Sequence, residues 1–291
     1  MKIIDTTTFF EEKMMMQIRF NILDEYVDNF IVCESTFTHS GERKKINFNP
    51  NDYPNFKNKI IHLIQEQEPE NIIKTTKNDH LNMRSNSIQR ILSQRDFIQN
   101  SLVDFNQDDY VIYSDNDEIP NLKNFDFFNN KNKIIIFKQK LFYFKFNLSL
   151  PTLTWFGSKA CKLKDLKSIS WLRYIKNKKY NPMRIDTLFS NTKYRNIKLV
   201  DNGGWHFSNL KTASELERKY LNDENHAEYA NQNYSINGIK DDIKNKTIGY
   251  NHSANSGSVE QFSKTKLSSV PMTSLPDYLQ NNKEQYLEWF N

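Results

Sequence analysis

The sequence is poor in the residues that define several protein classes. Its 291 residues include only two cysteines, Cys33 and Cys161, which excludes a disulfide scaffold and a four-cysteine zinc site. Cys33 ends a short apolar run, so we expect a buried thiol there. No apolar run approaches the ~18 residues of a membrane-spanning helix. We therefore expect no membrane span, and any contact with a membrane to be peripheral.

The amino terminus and the overall charge narrow the choice further. The first residues lack the charged, apolar and small-residue zones of a signal peptide, so we expect a cytoplasmic protein. The 40 basic residues exceed the 35 acidic ones by a formal charge of +5. This modest excess suits a phosphate-bearing ligand or an anionic surface, and it does not by itself indicate a nucleic-acid partner. The 21 Phe and 14 Tyr supply enough apolar surface for a folded core.

The first half of the chain alternates helix and strand patterns. Residues 8–11 match a capping box, and apolar residues follow at helical spacing up to Ile22. Asp79 can cap a second helix. Strand-like runs occupy residues 27–33, 59–64 and 109–113. Strands separated by helices predict an α/β fold with a mostly parallel sheet.

The second half is less regular. We predict a long strand or hairpin over 133–147, a helix over 163–174, a strand over 197–200, a glycine turn entering a strand over 202–207, helical spacing over 212–222, loops over 231–274, and a terminal helix from near Pro276. No repeat or linker divides the chain. We expect one domain over residues 1–291, with parts at 1–120, 121–230 and 231–291.

The strongest local signal is the S-D-N-D-E stretch that follows the apolar strand 109–113. Asp115, Asp117 and Glu118 place three carboxylates within four residues. Ligands of open α/β sheets bind outside the carboxyl ends of the strands. Two Asp residues at i and i+2 can share one hard divalent ion, which would also neutralise a departing diphosphate. A solvated turn is the alternative, because D-x-D alone occurs often by chance.

Several blocks, taken in order, resemble glycosyltransferase family 17. They are residues 4–5 with 8–12 and 18–19; 27–35 followed by 38–41 and 44–45; D-Y-V-I-Y-S-D-N-D-E-I-P at 109–120; G-G-W-H-F-S at 203–208; and, more weakly, 226–229. Asn116 departs from the family, which usually has an aliphatic residue there. The resemblance spans residues 3 to about 230.

The resemblance implies a GT-A type nucleotide-diphospho-sugar transferase fold, Rossmann-like and mostly parallel. It implies an inverting transfer of a sugar, N-acetylglucosamine, from a UDP-sugar to a glycan acceptor, with manganese as the divalent metal. Residues 1–120 would then bind the nucleotide sugar, residues 121–230 would form the acceptor side, and residues 231–291 would be a loop-rich extension.

The same resemblance suggests individual roles. Asp115, Asp117 and His206 are the predicted metal ligands, although a histidine on an apolar strand is often only a core residue. The predicted nucleotide-sugar contacts are Glu34, Ser35, His39, Arg84 and Asp115. For Glu34 the alternative is a strand-end cap, for His39 a turn residue, and for Arg84 the neighbouring Arg90 competes for the same role.

The general base of an inverting transfer has to lie opposite the departing UDP, so a metal-bound Asp is unsuitable. We predict Asp186 first, because apolar neighbours would bury it and raise its pKa. Glu228, in the family-like block 226–229, is the second candidate and Asp201 the third.

Two other functions compete with the transferase. A metal-dependent phosphodiesterase or nuclease would use the same three carboxylates, but the sequence offers no H-x-D or H-x-H cluster to complete its metal site. A non-catalytic sugar-binding protein on a transferase fold is the third possibility, and the intact S-D-N-D-E and G-G-W-H-F-S blocks count against it.

Overall fold

The main feature of the fold is a single large β-sheet, built from strands along most of the chain. A computed structural model describes residues 1–76, 79–181, 183–222, 226, 235–248 and 265–291. Within them, ten strands form one mixed sheet. The strands are β1 (Ile3–Phe9), β2 (Asn29–Ser35), β3 (Ile60–Gln65), β4 (Tyr110–Tyr113), β5 (Glu118–Pro120), β6 (Ile134–Tyr143), β7 (Leu148–Lys162), β8 (Ile197–Val200), β9 (Gly204–Ser208), the separate pair β10 (Thr247–Ile248) and β11 (Thr265–Lys266), and β12 (Ser268–Ser269).

Six α-helices accompany the sheet in the described residues. They are α1 (Lys13–Leu23), α2 (His80–Phe97), α3 (Ile169–Tyr174), α4 (Ala213–Tyr220), α5 (Ile236–Asn245) and α6 (Asp277–Asn281). No helix in the described part of the chain has the length and apolar character needed to cross a membrane.

The first half of the sheet is parallel, in the order β3-β2-β1-β4. The chain moves outward from β1 through β2 to β3, and then crosses back to the other side of β1 to form β4. This reversal places a topological switch point between β1 and β4. A crevice forms at such a point outside the carboxyl ends of the two strands, because their connections leave in opposite directions.

The second half of the sheet is mixed. β7 is antiparallel to both β4 and β6, whereas β9 is parallel to β6. The short strand β5 completes this side by pairing antiparallel with β9, where Glu118 lies opposite His206. The fold is therefore a mixed α/β fold, consistent with a Rossmann-like arrangement. The predicted parallel character holds throughout the first four strands, whereas the second half combines parallel and antiparallel pairs.

Apolar side chains fill both faces of the sheet. On one face, Phe20 of α1 packs on Phe30 with ring centroids 4.7 Å apart and on Tyr53 at 5.0 Å. On the other face, buried aliphatic residues such as Ile98 and Leu172 join the α2 and α3 side to the sheet. Packing on both faces explains why β2 and β4 read as nearly continuous apolar runs.

Two local predictions are wrong. The capping box at 8–11 does not form, because Thr8 continues β1 by pairing with Cys33 of β2, and α1 begins only at Lys13. In the stretch predicted as loops, residues 236–245 form the helix α5. By contrast, Asp79 caps α2 as predicted, accepting a hydrogen bond from the Asn82 N–H.

A buried ion pair joins α1 to the sheet. Arg19 of α1 donates from Nε and Nη2 to the two carboxylate oxygens of Asp5 on β1, at 2.7 and 2.5 Å. Its Nη1 also donates to the backbone carbonyl of Glu118 at 2.7 Å. Both charged side chains are almost fully buried. Arg19 thus fixes the backbone that follows β4.

We expect Arg19→Met to lower the free energy of unfolding by about 3–5 kcal/mol, because it leaves the Asp5 carboxylate buried without its partner. Urea denaturation measures this loss. The exposed Arg43 is the matched control, and Arg43→Met should cost no more than about 1 kcal/mol. Equal, small losses in both variants would show that the buried pair does not hold the fold together.

Candidate active site

The polar residues of the candidate site lie where the parallel strands end. The loops after β1, β2 and β4 meet at the same edge of the sheet, and the switch point lies between β1 and β4. Asn116, in the loop after β4, donates from Nδ2 to Glu12 Oε2 at 2.8 Å. This bond joins the loop after β4 to the loop after β1, across the crevice where a ligand is expected.

Asp115 is held by cations from two helices. Its Oδ1 accepts hydrogen bonds from Arg95 Nη2 at 3.0 Å and from the Tyr113 hydroxyl at 2.9 Å, and its Oδ2 accepts one from Arg173 Nη2 at 2.7 Å. Burial alone would raise the pKa of Asp115. The two guanidinium groups outweigh it and hold the pKa well below the usual range, so this carboxylate is ionised.

Glu118 is the most buried of the three carboxylates. Its Oε1 accepts hydrogen bonds from Trp155 Nε1 at 2.6 Å and from Arg173 Nη2 at 2.9 Å, and its Oε2 accepts one from the Asp115 N–H at 3.1 Å. Burial raises the pKa of Glu118 despite the attraction of Arg173. With its oxygens occupied from within the chain, Glu118 positions Arg173 and Trp155.

Asp117 lies next to His206. Their Oδ1 and Nε2 atoms are 3.4 Å apart, and both side chains keep a small exposed fraction. The His206 ring also packs on Trp155 with ring centroids 4.5 Å apart. Burial raises the pKa of Asp117, but His206 and Lys219 lower it more, and the net pKa is below the usual value. The structure thus brings together two residues that lie 89 positions apart in the sequence.

The side chains at this point fit a divalent ion only in part. Among the described residues, no three His, Cys, Asp or Glu side chains converge to form a complete protein metal site. Asp117 and His206 nevertheless offer one carboxylate oxygen and one imidazole nitrogen. Ions of the magnesium type commonly take one or two protein ligands and complete their shell with phosphate oxygens and water. Asp115 is less available to bind an ion, because Arg95 and Arg173 already bind its two carboxylate oxygens.

The second half of the chain adds positive charge to the site. Lys211, just after β9, lies 3.3 Å from carboxylate oxygens of both Glu11 and Glu12. Burial lowers the pKa of Lys211, but these two glutamates raise it more, so the ammonium stays charged. Lys219 of α4 also lowers the pKa of Glu12 and of Asp117 through its positive charge. The loop after β1 is therefore joined electrostatically to the chain after β9.

Two predicted nucleotide contacts are engaged within the protein. The Glu34 carboxylate is fully buried, and it accepts hydrogen bonds from Lys44 Nζ and from the N–H groups of Asn47 and Phe48, the latter two at 2.8 and 2.9 Å. The Ser35 hydroxyl donates to Gln65 Oε1 at 2.9 Å. Glu34 therefore fastens the loop 44–48 to the end of β2. This contact matches the alternative role given for Glu34, a strand-end cap, rather than a nucleotide contact.

His39 lies near the site, and Arg84 lies on the surface. His39 Nε2 is 3.2 Å from Gln94 Oε1, and burial lowers the pKa of His39 to about 4, so the ring is neutral at pH 7. Arg84 is on an exposed part of α2. Arg90, its alternative, is buried and donates to Glu68 at 2.9 Å and to the His39 carbonyl at 3.2 Å. Arg90 therefore supports the His39 loop.

Asp186 lacks the burial on which its predicted role as the base was based. Asp186 lies on an exposed turn, where Arg184 and Lys193 donate to its carboxylate at 2.7 to 2.8 Å. These hydrogen bonds hold the pKa of Asp186 well below the usual range, whereas the prediction required burial and a raised pKa. Its apolar neighbours are themselves exposed. Glu228 lies outside the described residues, and Asp201 is exposed and pairs with Lys138.

Sequence reasoning missed the cations of the site. Arg95 lies in the last turn of α2 with a side chain that is 13% exposed, and Arg173 lies in a helix of six residues. No motif marks either one. The only signal available was the carboxylate cluster itself, since three adjacent carboxylates beside a buried strand require counter-charges.

Comparison with known proteins gives one extensive match. The model of glycosyltransferase family 17 matches residues 1–288. No curated protein matches the sequence. Among solved structures, the chain is similar to the crystal structure of HddC from Yersinia pseudotuberculosis, with 9% sequence identity, a TM-score of 0.32, and coverage of 69% of this chain and 90% of that chain. A similarity this weak supports no argument about fold or function.

The tight packing around Glu118 leads to a prediction at Gly157. A Cβ atom at this position would lie 2.5 Å from Glu118 Cδ and would also meet Gln139 Oε1. We expect Gly157→Ala to displace Glu118 and to lower the free energy of unfolding by about 1–3 kcal/mol.

The control is Gly238→Ala within helix α5, where alanine should raise stability by up to about 1 kcal/mol because it is the better helix former. Thermal and urea unfolding of both variants measure the difference. A Gly157→Ala protein as stable as the Gly238→Ala protein would mean that Glu118 is not rigidly held.

Proposed function

The chain belongs to glycosyltransferase family 17, and from this membership we propose that it transfers N-acetylglucosamine from a UDP-sugar to a glycan acceptor, with manganese at the site and inversion at the anomeric carbon. As a glycosyltransferase it takes a sugar donor and an acceptor. We also propose that its mixed α/β fold is of the GT-A type. The donor, the metal and the stereochemistry are the parts of this proposal that need experiments.

One observation carries the proposal. At the switch point of the sheet, the Asp117 carboxylate lies 3.4 Å from the His206 imidazole, and both side chains are partly exposed. The pair joins the end of the parallel half of the sheet to β9 of the mixed half. A carboxylate and an imidazole at this edge suit a divalent ion that is completed by the oxygens of a diphosphate.

The residues around this pair supply the electrostatics of the transfer. Asp117 and His206 would hold the ion, which when bound would neutralise charge on the leaving diphosphate. Arg95 and Arg173 add fixed positive charge beside them, held in place by Asp115. Since these groups are ordered before the donor binds, they need little reorganisation as negative charge develops.

The base of an inverting transfer must take a proton from the acceptor hydroxyl. Glu118 is unsuitable because it is fully buried and its oxygens are occupied. Asp186 no longer has support as the base. Glu228 therefore stays as the prediction, and replacing it with Gln should abolish transfer while leaving donor binding unchanged.

A donor screen tests the proposed chemistry without knowledge of the acceptor. The protein is incubated with UDP-, GDP- and CMP-sugars, with and without manganese, and release of the free nucleotide is measured. The proposal expects release from UDP-N-acetylglucosamine that depends on manganese. Release from another donor class, or release that is independent of metal, would contradict the corresponding part of the proposal.

Asp117→Asn should reduce this turnover by at least about 10²-fold, because it removes the carboxylate from a preorganised electrostatic site. Asp108→Asn is the control, since Asp108 lies just before β4, at the end of that strand opposite to Asp117, with a side chain that is 66% exposed. Near-normal turnover in a folded Asp117→Asn protein would show that Asp117 does not act in the reaction.

His206→Ala should weaken UDP binding in the presence of manganese far more than binding without metal. Isothermal titration in both conditions measures the two affinities, and the metal-free value serves as the internal control. If the manganese dependence is unchanged, His206 acts only by packing on Trp155.

A further inference from the structure

The net positive charge of the chain comes from one short segment. Residues 176–195 contain six basic residues and a single acidic one, Asp186. The remaining 271 residues contain 34 basic and 34 acidic residues, so the whole formal excess of +5 resides in this segment. The basic residues are Lys176, Lys178, Lys179, Arg184, Lys193 and Arg195.

The same segment exposes large apolar side chains. Met183 is 87% exposed, Phe189 is 86% exposed, and Ile185 and Leu188 are each 68% exposed. Single exposed apolar residues are common on protein surfaces, but four within seven residues form a patch of the kind that marks an interaction site.

The described residues of this segment form an organised loop. Its base is closed by the hydrogen bond from the Lys176 N–H to the Thr192 carbonyl at 2.9 Å. Arg195 donates to the Thr187 hydroxyl and to the Arg184 carbonyl, both at 2.7 Å. These contacts hold the backbone while the apolar side chains remain outside, so their exposure is a property of the folded loop.

The only acidic side chain of the segment is neutralised within it. Arg184 and Lys193 both donate to the Asp186 carboxylate. Lys176, Lys178 and Lys179 are exposed and lie at or near the base of the loop, which Lys176 closes. The loop that carries the apolar side chains therefore has a net positive charge.

The loop follows directly on a residue of the candidate site. Arg173, which binds Asp115 and Glu118, is the penultimate residue of α3, and the loop begins three positions later. The buried Lys159 donates to the carbonyls of Arg173 and Ile175 at 2.7 and 2.5 Å, which fixes the end of α3. The base of the loop is therefore attached directly to the helix that carries Arg173.

We propose that residues 176–195 dock the protein on an anionic lipid surface, with Met183, Ile185, Leu188 and Phe189 entering the interfacial layer and the basic residues contacting lipid phosphates. Apolar side chains surrounded by Lys and Arg are the composition that binds such surfaces. A protein partner fits less well, because lysine is depleted in protein interfaces and four of the six basic residues are lysines.

Vesicle co-sedimentation of the full chain tests the proposal, independently of sugar transfer. One set of vesicles is pure phosphatidylcholine, and the other is an equimolar mixture of phosphatidylcholine and phosphatidylglycerol. We expect binding to the anionic vesicles only, and weaker binding at high salt because surface charges are screened. Absence of binding to the anionic vesicles, or equal binding to both kinds, would overturn the proposal.

Variants assign the binding to the loop. Met183→Ser with Phe189→Ser should weaken vesicle binding at least about tenfold, and Phe128→Ser is the control, since Phe128 is 83% exposed elsewhere. Lys178→Gln with Lys179→Gln should also weaken it about tenfold or more. Its control is Lys240→Gln with Lys244→Gln, on the exposed face of α5.

Two results would overturn the assignment. Equal vesicle binding by the loop variants and their controls would place the lipid contact elsewhere. If the wild type instead self-associates in analytical ultracentrifugation, fails to bind vesicles, and becomes monomeric in the Met183→Ser, Phe189→Ser variant, the loop is an interface between copies of this chain. Circular dichroism confirms that each exposed substitution leaves the fold intact.

Discussion

The crowding of negative charge at the end of β4 is the constraint on which the rest of the site depends. Three carboxylates follow a buried strand within four residues, and at least two of them lie in surroundings with little water. Such groups stay ionised and ordered only when cations or hydrogen-bond donors compensate them. Arg95 and Arg173 do this for Asp115, and His206 does it for Asp117. Arg19 holds the backbone carbonyl of Glu118 at the start of β5.

This requirement connects distant parts of the chain. The groups that compensate these carboxylates come from α2, α3 and β9, so the position of each of these elements depends on the same few carboxylates. The two carboxylates of the D-x-D pair consequently have different surroundings. Asp115 anchors two arginines, whereas Asp117 and His206 keep some exposure and are the pair to which we assign the ion. The two aspartates of the D-x-D pair thus have separate roles, although the sequence gives no sign of the difference.

The location of the site could be predicted from the sequence, but its partners could not. The apolar run ending at Tyr113 indicates a buried strand, and strand–helix alternation places the following aspartates at the ligand-binding edge of a parallel sheet. The partners Arg95 and Arg173 lie 20 and 58 residues away from Asp115 and carry no motif. For Asp186 the sequence suggested a burial that the structure does not show. Its apolar neighbours suggested a buried position, but the loop exposes both Asp186 and those neighbours.

The central claim is that the edge between β1, β4 and β9 binds a sugar nucleotide, and hydrogen–deuterium exchange tests it most directly. Exchange is followed by mass spectrometry for the full chain, alone and with UDP plus manganese. The account predicts slower exchange in peptides that cover residues 10–12, 114–118 and 204–208, with residues 176–195 unchanged. Unchanged exchange at all three segments under saturating ligand, or protection confined to another part of the chain, would contradict it.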